Sequence, residues 1–118
     1  MKFTSEINDD VLDLVLEGDL IGEENGLSIM EVVQDCINKG IITAIVDISG
    51  LRYINSSGIG VLITLLTKFR NKGGEVVLLR PSENVRKLLI ITKLNAIFTI
   101  VEEREEGVSE LKNSRESS

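Results

Sequence analysis

Ser56 and Ser57 are the two side chains of this chain whose chemistry depends most on where they stand. They sit in Asp47-Ile-Ser-Gly-Leu-Arg-Tyr-Ile-Asn-Ser-Ser-Gly-Ile-Gly-Val-Leu62, where strand-like residues give way to a helical pattern through a short polar loop. A nucleophilic serine needs a tight glycine-flanked elbow and a general base. Here Ile54 and Asn55 precede the serines, so the elbow's first glycine is missing. The chain also has no histidine, which rules out Ser-His-Asp triads, Cys-His dyads and His-bearing zinc sites. The remaining duty readable from position is capping. A helix start leaves N–H groups unpaired and favours negative charge, and Ser56 or Ser57 could satisfy one of those donors. Gly58 and Gly60 cost helix propensity, so the spacing expects them to permit close approach of a backbone or a partner. Gly58-x-Gly60 also resembles the start of a dinucleotide fingerprint, but Ile63 occupies the third glycine position.

The other reactive groups are few. Cys36 is the one cysteine, so no internal disulfide or thiolate cluster can form, and its apolar helical setting reads as a small buried hydrophobe. No acidic pair has the setting of a magnesium site. Asn55-Ser56-Ser57 matches a glycosylation acceptor formally, yet the Met-Lys-Phe-Thr-Ser-Glu start lacks a signal peptide's apolar core. The expectation is a cytoplasmic protein. The net charge of −6 argues against a nucleic-acid partner. No run approaches the roughly 18 apolar residues of a membrane span, so membrane insertion is not expected.

The elements that must position the serines follow from periodicity. Phe3 to Ile7 and Val11 to Glu17 read as strands joined at Asn8-Asp9-Asp10, hence a hairpin. Gly18 to Gly22 is expected to end the second strand and open a loop. A helix is expected from Leu27 to Lys39 and a doubly covered strand from Ile41 to Ile48. After the serine loop, Ile59, Leu62, Ile63, Leu66 and Phe69 form one helical stripe. Val61 lies nearly opposite that stripe with Leu65 at its flank, which leaves either burial against a neighbouring helix or an exposed apolar ridge. Glu75 to Leu79 reads as a strand, Ser82 as the cap of a third helix, Ala96 to Val101 as a last strand, and Glu105 to Lys112 as a short helix. The acid runs Glu23-Glu24 and Glu102 to Glu106 read as solvated surface. The result is one α/β domain over 1–112, a mixed, mostly parallel sheet of about five strands with an N-terminal hairpin and packed helices, and a disordered tail over 113–118.

Asp47-Ile-Ser-Gly-Leu-Arg-Tyr-Ile-Asn-Ser-Ser-Gly-Ile-Gly resembles the signature of STAS domains, specifically anti-sigma factor antagonists. Gly18-Asp19-Leu20, Asn71-Lys72-Gly73-Gly74-Glu75 and Val85-Arg86-Lys87-Leu88-Leu89 with Leu94 extend the resemblance over nearly the whole chain. It implies a binding protein without enzymatic turnover or cofactor. Such a protein sequesters an anti-sigma factor, often a GHKL-type serine kinase that carries the ATP, and so frees a sigma factor. It further implies that the kinase phosphorylates Ser56, with Ser57 the second candidate, and that a metal-dependent serine phosphatase reverses this. The partner-binding surface implied comprises Asn55, Ser56, Ser57, Gly58, Ile59, Gly60, Val61 and Leu65, with Asp19 and Ile21 beside it. Two positions depart from the family pattern: Asn55 stands where Asp commonly precedes the acceptor, and Ile21 where Asp commonly follows the Gly-acid-Leu turn. The same resemblance admits two other roles: a stand-alone STAS subunit on the ATPase of an ABC-type lipid transporter, and an interaction module without phosphoregulation.

Overall fold

The computed structural model describes residues 1–116, without the side chains of Glu23, Glu24 and residues 114–116. The solvated pair expected at Glu23-Glu24 therefore lies outside the described residues. Strands β1 (Lys2–Asn8) and β2 (Val11–Leu20) form an antiparallel hairpin. Asp9 and Asp10 close it with φ of +53° and +63°, the doubly left-handed turn whose twist suits two-residue hairpins. Helix α1 (Gly22–Asn38) leads to β3 (Thr43–Ile54), α2 (Ser56–Arg70), β4 (Glu75–Leu79), α3 (Glu83–Ile91), a 3-10 turn (Leu94–Ala96), β5 (Thr99–Val101) and α4 (Arg104–Glu116). The sheet runs β1-β2-β3-β4-β5, and every pairing after the hairpin is parallel.

Alternation along the central strands sorts the core into two layers. Leu12, Leu14 and Leu16 of β2, Ala44, Val46 and Ile48 of β3, and Val76 and Leu78 of β4 pack with α1, α2 and α3. The intervening Ile45 and Val77, with Val11, Leu79 and Val101, face Leu111 of α4 on the other side. Continuous apolar strands are what a doubly covered parallel sheet requires. No helix among the described residues is long and apolar enough to cross a membrane.

Several boundaries differ from those read off the sequence. β2 continues through Gly18 and Asp19 to Leu20, where a loop was expected, because register shifts between Val15 and Glu17 and between Gly18 and Asp19 keep it paired with β3. β3 likewise runs on to Ile54, so most of the polar loop before the serines is strand. Helix α1 starts at Gly22 rather than Leu27. Ile21, at its cap position, offers no capping side chain, and Asn25 Oδ1 accepts the Ile21 N–H at 3.2 Å instead. The last strand is only Thr99–Val101, since the chain at Ala96 is still in the 3-10 turn. Helix α4 extends to Glu116, past the end expected at Lys112, and so the backbone of 113–116 is helical; Ser117 and Ser118 lie outside the described residues. Glu102, Glu103, Glu105 and Glu106 are exposed; Glu102 pairs with Arg86, and Arg104 grips Asp13 with two bonds of 3.0 and 2.8 Å.

Candidate functional site

The end of β3, the first turn of α2 and the outer face of α3 meet around the serines. Asn55 is extended, with φ of −96° and ψ of 179°. Its Oδ1 accepts the Gly58 N–H at 2.7 Å, while its C=O accepts the Ile59 N–H at 3.0 Å. The cap of α2 is thus Asn55, not either serine. Asparagine is among the strongest capping residues, and its extended backbone is the geometry a cap requires. Both serine hydroxyls are thereby released from capping. Ser56, the first residue of α2, is exposed; Ser57 is half-buried.

The glycines of this segment have different duties. A Cβ on Gly58 would overlap the Leu20 carbonyl oxygen and stand 2.8 Å from Ile54 Cγ1. The end of β2 therefore lies against the α2 backbone, and the Asn55 N–H donates to that same Leu20 oxygen at 3.3 Å. A Cβ on Gly22 would likewise collide with Ser57, whose own Cβ would lie 2.9 Å away, so the start of α1 is locked against the start of α2. Gly60 has nothing within 4 Å of the corresponding position. The close approach expected at Gly58 is met inside the fold; Gly60 opens to the surface.

Val61 and Leu65 do not form an exposed ridge. Val61 packs against α1 at Gly26, with Cγ2 3.1 Å from where a Cβ there would sit, and Leu65 is 1% exposed. Because α1 packs beside α2 over one sheet face, the flank of α2 turned towards α1 is covered, and Val61 and Leu65 belong to the core. Ile63, counted in that stripe, is instead 37% exposed. Ile59 is half-buried and faces a cleft.

That cleft, of about 560 Å³, runs between the α2 start and α3. Its floor and walls include Tyr53, Ile54, Ile59, Val85 and Leu88, and its polar rim is Arg52, Asn55, Ser56, Asn84 and Thr92. The contribution of α3 was missed in the sequence, although the run Leu88 to Ile91 holds more apolar residues than one helix face can bury. Only Val85 and Leu89 of α3 are buried, leaving Ile90 and Ile91 outside. Ser82 stands at the α3 cap position, but its hydroxyl donates to the Leu51 carbonyl and accepts no N–H from its own helix. It thereby ties α3 to β3 beside the cleft.

Asp19, near the end of β2, meets Arg52 of β3 in a forked pair, Nε to Oδ1 at 3.1 Å and Nη2 to Oδ2 at 2.9 Å. Hydrogen bonding from the guanidinium holds the Asp19 carboxyl below its ordinary range and raises Arg52 in turn. Ile21 is half-buried at the α1 cap position next to the Gly22–Ser57 contact. Asn55, Ser56, Ile59, Asp19 and Arg52 thus gather near one end of the sheet, whereas Val61 and Leu65 lie in the core. Among the described residues no three His, Cys, Asp or Glu side chains are grouped as metal ligands.

The STAS domain profile matches residues 2–107. A crystal structure of a candidate anti-sigma factor antagonist from Thermotoga maritima superimposes with a TM-score of 0.83 at 30% identity, covering 93% of this chain and 94% of that one. A candidate anti-sigma factor antagonist of Bordetella bronchiseptica, BtrV, is 26% identical over 114 residues, 97% of each chain. The Bacillus cell fate determinant SpoIIAA, in its phosphorylated form, shares the fold with a TM-score of 0.70 at 23% identity, covering 89% of this chain and 96% of that one. With the profile spanning nearly all of its length, the chain belongs to the STAS domain family.

Proposed function

We propose that the protein is an anti-sigma factor antagonist: a binding protein without turnover of its own, whose docking surface is switched off by phosphorylation of Ser56. The observation that carries this reading is the division of labour at the α2 start. Asn55 caps the helix, so the Ser56 hydroxyl is left exposed on a well-anchored turn beside an apolar cleft. The names of the Thermotoga and Bordetella relatives support the antagonist role, and SpoIIAA shows that a protein of this fold exists in a phosphorylated form.

The chemistry is that of phosphoryl transfer from ATP held by the partner. Ser56 Oγ attacks the γ-phosphorus, ADP departs, and the hydroxyl proton passes to a base on the kinase. A metal-dependent phosphatase returns the serine by hydrolysis. The phosphate brings nearly two negative charges to the positive end of a helix, so the antagonist tolerates it without refolding. A partner seated over the same turn and cleft must desolvate that phosphate, and its affinity falls accordingly. Arg52, Tyr53, Ser56, Ile59 and Leu88 form the docking surface in this reading. Incubation with the cognate anti-sigma factor kinase and ATP, followed by mass-spectrometric mapping, should place one phosphate on Ser56. A complex that forms while Ser56 and Ser57 both stay unmodified would leave the binding role and remove the switch.

A further inference from the structure

We infer that Arg52 is the intramolecular receptor for a phosphate on Ser56: its guanidinium leaves Asp19 and closes on the phosphoserine along the rim of the shared cleft. The inference rests on reading Ser56 as the acceptor, and adds to it the device that holds the modified state. Arg52 is the one cation among the residues lining the cleft, and Ser56 lies on the same rim. Its side chain is 78% exposed, and among the described residues its ion-pair partner is Asp19 alone. An exposed pair of this kind is weakly held, because water screens it and two side chains must be ordered to form it. A phosphate offers the guanidinium greater charge and three oxygens in a geometry that the same fork matches bidentately.

Arg52 lies near the end of β3, and Asn55 fixes the turn that follows. Asn84, from α3 on the opposite wall, adds an amide that can donate to the same phosphate. When Arg52 leaves, Asp19 keeps only the favourable influence of the Met1 amino group. The phosphorylated surface thus carries a neutralised phosphate and a newly bare carboxylate. Held this way, the phosphate is less accessible to a phosphatase and more acidic in its second ionisation.

The test uses full-length protein with phosphoserine installed at position 56 during translation, so that no kinase is needed. The second phosphate pKa is read by phosphorus NMR, against an ordinary value of about 6. In the otherwise unaltered protein it should lie about half a unit or more below that of the same protein carrying Arg52→Gln. Arg52→Lys should recover part of the shift, and Asp19→Asn, which releases Arg52 beforehand, should deepen it. Circular dichroism should show every variant folded. Equal phosphate pKa values with and without Arg52 would overturn the inference, as would a full shift in Arg52→Gln arising from the helix start alone. Neither outcome bears on whether a kinase modifies Ser56, which the mapping experiment decides separately.

Discussion

Alanine at Gly58 and alanine at Gly60 should move the stability of this protein in opposite directions, although the two glycines are neighbours in one helical turn. In a helix interior, glycine is less favourable than alanine by about 1 kcal/mol. At Gly60 nothing lies within 4 Å of a new Cβ, so the substitution should be worth about that gain. For a chain of 118 residues, the corresponding rise in Tm is about 4 °C. At Gly58 the same gain meets a collision with the Leu20 carbonyl and Ile54 Cγ1. Backbone cannot rotate aside as a flexible side chain does, and overpacking of this kind typically costs about 1–3 kcal/mol, occasionally more. Separating β2 from α2 also stretches the Asn55 N–H bond to Leu20 and disturbs the cap. The net expectation is a loss of about 1–3 kcal/mol, or a Tm lower by about 4–12 °C. Thermal and urea unfolding of the two variants beside the parent protein provides the measurement. A Gly58→Ala protein as stable as the parent would refute the close β2–α2 approach. A Gly60→Ala protein that is destabilised would show that the surface there is occupied by the fold itself.

Asn55→Ala should lower stability by about 1 kcal/mol, whereas Asn55→Asp should keep the cap and match or slightly exceed the parent in urea unfolding. Leu65→Ala should cost about 2–5 kcal/mol, as expected for a core position rather than a binding ridge; a stable variant that only binds its partner less well would contradict that burial. Burial pushes the Cys36 thiol up, so the folded protein should react slowly with iodoacetamide at pH 8 and rapidly once unfolded. The sign of the linked effect is fixed: a raised folded pKa means that stability is full below the ordinary thiol range and declines as pH rises through it. Cys36→Ala should remove that component of the alkaline decline.

The element order was legible because apolar alternation and helical stripes are local signals. Glu75–Leu79, bounded by Gly74 and Arg80-Pro81, came out with its observed ends. What was not legible depended on distant pairing. The extension of β2 through Gly18 and of β3 through Gly50 rests on bulged pairing between the two strands, and each stretch alone reads as a turn. The start of α1 was missed because Ile21 carries no capping oxygen, and because Gly22 serves the contact with Ser57 rather than a loop. At the site, spacing placed the serines at a helix start but left the capping residue to Ser56 or Ser57. The hydrogen bond from Gly58 to Asn55 shows that the departure from the family pattern is itself the cap. The wall supplied by α3 was hidden because its position against α2 is a property of the assembled sheet.

In the proposed switch, a phosphate on Ser56 should turn off the docking surface without altering the fold. The direct measurement is the affinity of the cognate anti-sigma factor for the protein with serine and with installed phosphoserine at position 56, by calorimetry, alongside Tm values for both forms. The phosphate should weaken binding at least tenfold, with Tm values within about 4 °C of each other. Equal affinities for the two forms, or a phosphorylated form that has lost its cooperative unfolding, would contradict it.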